Sequence, residues 1–259
     1  MDFEMSNNRR GQVTLFIIVA IVLVAGIVSF MFIYLGRINV EQPIDVSPQD
    51  FVRSCVGDLV ENSISDALFG GGLISPDNYV FYNGEPYNYL CYTDEDYQGC
   101  YNRFPGLEFI VEEQIHDNTI VGVRDCFNLA IADLEDRGYL VSDSGESSME
   151  YSVDLVPGEV KINLRRDIAV SRESSARNFR EFDFSVMSII YNLIEISRGI
   201  INDESQYCNY DYTQYMLLYS NYDITKIDFN SNKIYMVGDR RTGDVFRFAI
   251  RTCPFPAGL

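Results

Sequence analysis

The six cysteines are the residues of this chain with the clearest chemistry: Cys55, Cys91, Cys100, Cys126, Cys208 and Cys253. An even number of cysteines in an exported domain predicts disulfides, and six cysteines allow 15 connectivities. Short separation favours a Cys91–Cys100 bond. For the others we prefer Cys55–Cys126, because both lie on apolar helix faces, and Cys208–Cys253. Buried free thiols are the alternative, and the absence of a CxxC pair argues against zinc.

Two groups of polar residues are candidates for catalysis or metal binding. Glu112 precedes His116, the only histidine, by four residues, which places both on one helix face. Two ligands do not make a metal centre, and no GxSxG turn or phosphate-binding glycine loop is present. Asp94, Glu95 and Asp96 carry oxygen ligands suited to calcium, but without an EF-hand spacing. The sequence therefore predicts no enzyme, no cofactor and no metal centre, and leaves a cation at 94–96 open.

Tyrosine is concentrated in two regions, 79–101 and 207–222. Tyrosine offers a large amphipathic contact area at low entropy cost and is enriched in binding surfaces. Packing within strands and core is the alternative interpretation. If the two regions meet in space, they form a contact surface for a protein partner, a glycan or a neighbouring subunit. The candidate binding residues are Tyr87, Tyr89, Tyr92, Tyr97, Tyr210 and Tyr212.

The charge of the chain excludes one class of partner. Lys and Arg number 20, against 38 Asp and Glu. Setting aside Asp2, Glu4, Arg9, Arg10 and Arg37 leaves 17 basic and 36 acidic residues, a net charge of −19. Such a surface repels nucleic acid and anionic lipid headgroups. An apolar content of 47% is enough for a packed core. We therefore expect a folded acidic domain that does not bind nucleic acid.

The elements that position these residues follow from the period of the apolar pattern. Ser47 and Pro48 suit the N-cap and first position of a helix. Helices are predicted at 48–68, 107–115, 119–137 (capped by Asp117 or Asn118), 182–201 and 212–219. Strands are predicted at 79–82, 87–91, 139–141, 150–155, 159–164, 167–171, 224–229, 233–237 and 245–252. Short turns join the strands, which indicates an α+β fold of antiparallel strands packed on about three long helices.

Residues 13–35, VTLFIIVAIVLVAGIVSFMFIYL, contain no charged side chain. About 20 apolar residues span the hydrocarbon core of a bilayer, so we interpret this segment as a transmembrane helix. A buried soluble helix and a cleaved secretory signal, whose apolar region is shorter, are the alternatives. Arg9 and Arg10 place the N-terminus in the cytoplasm by the positive-inside bias. The predicted order is a leader at 1–11, an anchor at 12–36, a linker at 37–47 and an extracellular α+β domain at 48–259, with a sub-boundary near 138–148.

The start of the chain resembles an archaeal class III signal sequence, the type IV pilin-like signal. The resemblance covers residues 1–35 and depends on RGQVT at 10–14, directly before the apolar helix. It implies cleavage between Gly11 and Gln12, with the apolar helix kept on the mature protein. Phe16 stands where many pilins carry Glu, and Pro43 interrupts the long helix of a standard pilin. The layout also resembles poorly characterised membrane-anchored surface proteins of small-genome archaea.

The expected function is that of a single-pass cell-surface protein with a disulfide-stabilised ectodomain in a structural, adhesive or binding role. The resemblance implies an alternative, a pilin-like subunit processed at Arg10, Gly11 and Gln12 and assembled into a surface filament. An anchored receptor or enzyme is the second alternative. The expected partners are the membrane bilayer and, outside the cell, another copy of the chain, a surface protein or a glycan.

Overall fold

The structure, a computed structural model, describes residues 9–35, 47–173 and 175–255. The chain divides into two compact units, Met1–Asp45 and Val46–Leu259. The first unit contains helix α1, Arg9–Leu35, whose side chains at 16–31 are exposed. Across the described ranges, no helix combines the length and the hydropathy that crossing a bilayer requires. Residues 1–8 of the leader predicted at 1–11, and residues 37–46 of the linker predicted at 37–47, lie outside the described residues.

The long helices of the second unit are α2 Pro48–Phe69, α3 Leu107–Asp136 and α4 Ile190–Tyr207, followed by the short α5 Tyr212–Leu218. Helix α2 starts at Pro48 as predicted, but Ser47 does not cap it, since its hydroxyl donates to Gln49 Oε1 at 3.2 Å. The helix ends before Gly71, which has φ of +66°. A Cβ at Gly71 would lie 2.8 Å from the Arg247 carbonyl oxygen, so the turn requires glycine.

Helix α3 is continuous, whereas the sequence predicted two helices separated by a cap at Asp117 or Asn118. The Asn118 side chain instead donates to Ser63 Oγ on α2 at 3.2 Å. The Thr119 hydroxyl donates to the Ile115 carbonyl, one turn back, at 2.7 Å. Both polar side chains therefore find partners without ending the helix, and the predicted break was wrong.

The strands of the second unit are β1 Tyr79–Tyr82, β2 Glu85–Tyr92, β3 Tyr101–Asn102, β4 Leu140–Asp143, β5 Glu150–Val156, β6 Glu159–Arg172, β7 Ser175–Glu181, β8 Phe184–Met187, β9 Tyr222–Phe229, β10 Asn232–Asp239 and β11 Val245–Arg251. The first sheet has the order β1-β2-β11-β10-β9, and β3 also pairs with β2. Strands β2 and β11 are parallel, which corrects the prediction of purely antiparallel strands. The long chain between them, with α3, α4 and the second sheet, supplies the connection that a parallel pair needs.

The second sheet is built on β6, to which β4, β5, β7 and β8 all pair. The sequence predicted two strands, 159–164 and 167–171, but β6 is one strand of 14 residues with a shift in pairing between Arg165 and Ile168. Strand β7 occupies residues between 171 and 182, where the sequence predicted neither helix nor strand, and β8 replaces the first part of the helix predicted at 182–201. The helical spacing there is overridden because the backbone of β8 pairs with β6.

One hydrophobic core joins the three long helices to both sheets. Val56 of α2, Phe127 of α3 and Leu193 of α4 are fully buried in it. Ile162 from the second sheet and Phe248 from the first complete the contact. The α+β architecture with about three long helices is therefore confirmed.

Three disulfides close the second unit, and they are the three pairs preferred from the sequence. The bonds are Cys55–Cys126, Cys91–Cys100 and Cys208–Cys253. The first links α2 to α3, the second closes the loop after β2, and the third ties the end of α4 to the chain after β11. Every cysteine of the chain is thereby bonded.

A buried ion pair fixes β4 against β6. The side chain of Arg166 is 2% exposed and donates through Nε to Asp143 Oδ1 at 2.9 Å and through Nη2 to Oδ2. The hydrogen bond from Arg166 lowers the pKa of the Asp143 carboxyl, against the opposing effect of burial. A lowered pKa in the folded state contributes stability that is present above the unfolded pKa of about 3.9 and is lost as pH falls through the folded value.

We expect Asp143→Asn to lower the free energy of unfolding at pH 7 by about 1–3 kcal/mol, because the hydrogen bonds to a charged partner are weakened. The variant should also lose less stability than the parent between about pH 5 and pH 2. Urea unfolding at a series of pH values measures both effects. Identical pH profiles for the two proteins would contradict the role assigned to this pair.

Candidate binding groove

The segment between α4 and β9 forms a compact bend that carries the second tyrosine region. Helix α4 ends at Tyr207, and Cys208 caps it with a left-handed φ of 55° and an amide that donates to the Glu204 carbonyl at 3.1 Å. Asp211 caps α5, since its Oδ1 accepts from the amides of Thr213 at 3.1 Å and Gln214 at 3.4 Å. The cap and the left-handed residue turn the chain back towards α4.

A groove of about 450 Å³ opens between α4, α5 and the start of β9. Its aromatic side consists of Tyr210, Tyr215 and Tyr222, all partly exposed. The rings of Tyr215 and Tyr222 have centroids 6.4 Å apart and are inclined by 49°. The three rings therefore offer a concave, amphipathic wall.

The polar side of the groove comes from one face of α4. Asn192 and Asn202 provide amides, and Glu195 and Asp203 provide carboxylates. Glu195 pairs with Arg198, whereas the side chains of Asn192, Asn202 and Asp203 have no hydrogen-bond partner among the described residues. Amide and carboxylate groups that face open space beside aromatic rings can bind hydroxyl groups.

The tyrosines of the groove act as hydrogen-bond donors at neutral pH. Burial raises the pKa of Tyr210 to about 12, and Tyr215 and Asp203 add to the rise. Burial also raises the pKa of Tyr215. No basic residue is among the described residues that line the groove, so its charge is negative. This arrangement suits a neutral or cationic ligand and disfavours an anionic one.

The six tyrosines proposed from the sequence lie on two sides of the first sheet. Tyr210 lines the groove, and Tyr212, at the start of α5, packs half-buried against the main core. Tyr87 and Tyr89 are 4% and 7% exposed in a separate small core with Ile234. Within the described residues, no ring contact joins the two regions. The tyrosine regions 79–101 and 207–222 therefore do not form one contact surface through ring packing.

The remaining proposed tyrosines lie near the acidic loop. Tyr92 donates to Asp94 at 2.5 Å and packs edge-on against Tyr89, with ring centroids 4.9 Å apart. Tyr97 is exposed, its ring packs in a T-shaped pair with Phe255 at 5.8 Å between centroids, and its amide donates to the Pro254 carbonyl at 3.1 Å. Sequence reasoning identified Tyr210 but missed the polar side of the groove. The sequence signal that could have revealed the polar side is the helical spacing of Asn192, Glu195 and Asn202, which places them on one face of α4.

The other polar candidates form local contacts. Glu112 Oε1 accepts from the Leu155 amide of β5 at 2.7 Å, and burial raises the pKa of Glu112. His116 stacks on Tyr151, with ring centroids 5.0 Å apart, and its Nδ1 lies 2.9 Å from Asp117 Oδ1. In the part of the chain that the structure describes, no three His, Cys, Asp or Glu residues are grouped to hold a metal ion.

The proposed processing residues Arg10, Gly11 and Gln12 belong to the first turn of α1, and their side chains lie outside the described residues.

Comparison with known proteins gave no match to a protein-family model, a curated protein or a solved structure. The function of the chain is therefore inferred from its own residues and their geometry.

Proposed function

We propose that this chain is a single-pass cell-surface protein whose extracellular domain binds a neutral glycan in the groove. The observation that carries the proposal is the pairing of all six cysteines in three disulfides. Such bonds persist in oxidising compartments outside the cytosol. The uncharged run at 13–35, preceded by Arg9 and Arg10, supports an anchor with the folded domain outside.

The groove favours a glycan over other ligands because of its combination of groups. Tyrosine rings cover the C–H faces of a sugar ring, and amides and carboxylates bind its hydroxyls. Ligand sites in general are concave, with an apolar lining and a few polar groups that fix orientation. The negative charge of Glu195 and Asp203 disfavours phosphorylated, sulfated or carboxylated sugars.

We expect Tyr215→Ala and Tyr222→Ala each to weaken binding of a neutral oligosaccharide about tenfold, the loss of a moderate hot spot. The probe is a set of neutral oligosaccharides immobilised on an array, with affinities of the best binders then measured by titration calorimetry. Tyr97→Ala, an exposed tyrosine outside the groove, is the matched control and should bind normally. An equal loss in the control, or no binding of any neutral oligosaccharide by the parent protein, would contradict the glycan proposal.

The proposed location of the domain outside the membrane is tested independently of glycan binding. Protease added to intact cells that express the full chain should remove the domain after Arg37, because the proposed orientation leaves it outside the membrane. Detergent-permeabilised cells provide the control for protease access. Full protection of the domain in intact cells would overturn the proposed orientation.

A second candidate function is a filament subunit, which is favoured by the RGQVT pattern at 10–14. We prefer simple tethering for two reasons. Phe16 cannot neutralise the amine that cleavage would free on Gln12, and the sequence has a proline at 43, a residue that disfavours the long uninterrupted helix of a standard pilin. Surface filaments that disappear on Gly11→Val, seen by electron microscopy, would reverse this preference. An intact Met1 on the mature protein would support tethering.

A further inference from the structure

Lys226 of β9 holds its amine against a side-chain amide at the base of the groove segment. Its Nζ donates to Asn209 Oδ1 at 2.9 Å. The Lys226 side chain is 12% exposed, so the surrounding packing restricts where the amine can go. Asn209 lies between Cys208 and Tyr210 and is itself exposed, so a group released from its amide has a path to solvent.

A buried carboxylate lies beside this amine and amide. Glu204 of α4 is 0% exposed, and its Oε1 lies 3.5 Å from Lys226 Nζ. The Tyr235 hydroxyl donates to the same Oε1, and the Tyr235 ring stacks on Phe248 with centroids 5.4 Å apart. The carboxylate is therefore fixed in a dry, aromatic environment, where a positioned group transfers protons efficiently.

Glu204 does not depend on Lys226 as its only counter-ion. Lys233 Nζ donates to Glu204 Oε2 at 2.5 Å and to the Cys208 carbonyl at 2.5 Å. If Lys226 became neutral, the buried carboxylate would still be paired with Lys233. The usual penalty for leaving a buried charge unpaired is thereby avoided.

We propose that Lys226 and Asn209 join in an intramolecular amide bond, with Glu204 as the proton-transfer group. The ammonium of Lys226 gives a proton to Glu204, and the neutral Nζ attacks Cγ of Asn209. The bond between Cγ and Nδ2 breaks as Glu204 returns its proton to the departing nitrogen, which is released as ammonia. Glu204 then takes the second proton that Nζ still carries and passes it to the ammonia, which leaves as ammonium. The new bond joins Nζ to Cγ. No oxidant, reductant or other co-reactant is required.

The bond closes a loop that contains the aromatic wall of the groove. Tyr210, Tyr215 and Tyr222 all lie between the two joined residues. Helix α5, in the same segment, has no buried residue, so packing alone holds it weakly. A covalent link at the base of this loop pre-organises the three rings and lowers the entropy cost of binding. The bond is independent of which ligand the groove takes.

Mass spectrometry of the purified full chain, with disulfides reduced, tests the proposal. The expected mass is below the sequence mass by one ammonia. Trypsin should fail to cut after Lys226, so residues 199–233 should appear as one peptide that lacks ammonia. A parent protein of unshifted mass would overturn the proposal. Loss of ammonia with normal cutting after Lys226 would also overturn it, because a cyclic imide at Asn209 gives that result.

Four variants separate the roles of the residues. Lys226→Arg and Asn209→Ala should both have the unshifted mass of their sequences, whereas Lys161→Arg, at an exposed lysine on β6, should keep the loss of ammonia. Glu204→Gln should form the bond about a hundredfold more slowly, the typical contribution of a general acid–base group. If Glu204→Gln folds poorly, Asn209→Ala still tests the bond, because Asn209 is exposed and its replacement should leave the fold intact. Retention of the loss of ammonia in Lys226→Arg would contradict the assignment.

Discussion

Replacing Cys55 and Cys126 together by alanine should lower the free energy of unfolding by about 4.5 kcal/mol. The two residues are 71 positions apart, and their bond links α2 to α3 in the main core. In the chain-entropy account, a bond that closes a longer loop removes more freedom from the unfolded state. Urea unfolding of the purified protein, followed by circular dichroism, measures the loss.

The matched control is the double replacement of Cys91 and Cys100, which are only nine positions apart. Its expected cost is about 2.5 kcal/mol, which is about 2 kcal/mol less. Equal destabilisation by the two double variants would contradict the dependence of stability on loop length. The stabilisation by each disulfide would then come from local packing around the bond.

Phe127→Ala should destabilise the domain by about 3–5 kcal/mol, the range for large-to-small changes of a buried aromatic residue. Phe127 is 0% exposed, and its ring meets the edge of Phe182 at 4.9 Å between centroids. The guanidinium of Arg166 lies 5.1 Å from the ring centroid. Truncation therefore opens a cavity and removes an aromatic partner of a buried cation.

The control for this change lies two residues further along α3. Leu129 is 57% exposed, so Leu129→Ala should change the free energy of unfolding by no more than about 0.5 kcal/mol. The same unfolding experiment compares the two variants. A loss of similar size in both would contradict the role of core packing at Phe127, because alanine has the highest helix propensity and propensity alone would not lower the stability.

The sequence predicted best the elements whose signals are local. Helix α2 was predicted within one residue at its end, because Pro48 and the glycines after Phe69 mark its limits. The hairpin strands β9, β10 and β11 were predicted within a few residues, since alternation and turn residues are contained in the segment itself. The preferred disulfides were also correct, because the apolar helix faces bring Cys55 and Cys126 together.

The failures occurred where long-range pairing decides the structure. Strand β7 buries only Phe179, and its other side chains apart from Ala176 are polar, so its own sequence carries no alternating apolar pattern that indicates a strand. It forms because β6 offers it a free edge. The groove was only partly predictable for the same reason. The first sheet separates Tyr87 and Tyr89 from Tyr210, and the polar face of α4 becomes part of a site only when α5 folds over it.

Peptide mapping without reduction tests most directly whether the domain at 47–255 folds outside the cytosol. Free thiols are alkylated in intact and in lysed cells, and the protein is then digested and analysed by mass spectrometry. We expect linked peptides for Cys55–Cys126, Cys91–Cys100 and Cys208–Cys253, with no alkylated cysteine. Alkylated thiols at all six positions would place the domain in a reducing compartment and contradict its proposed location outside the cell.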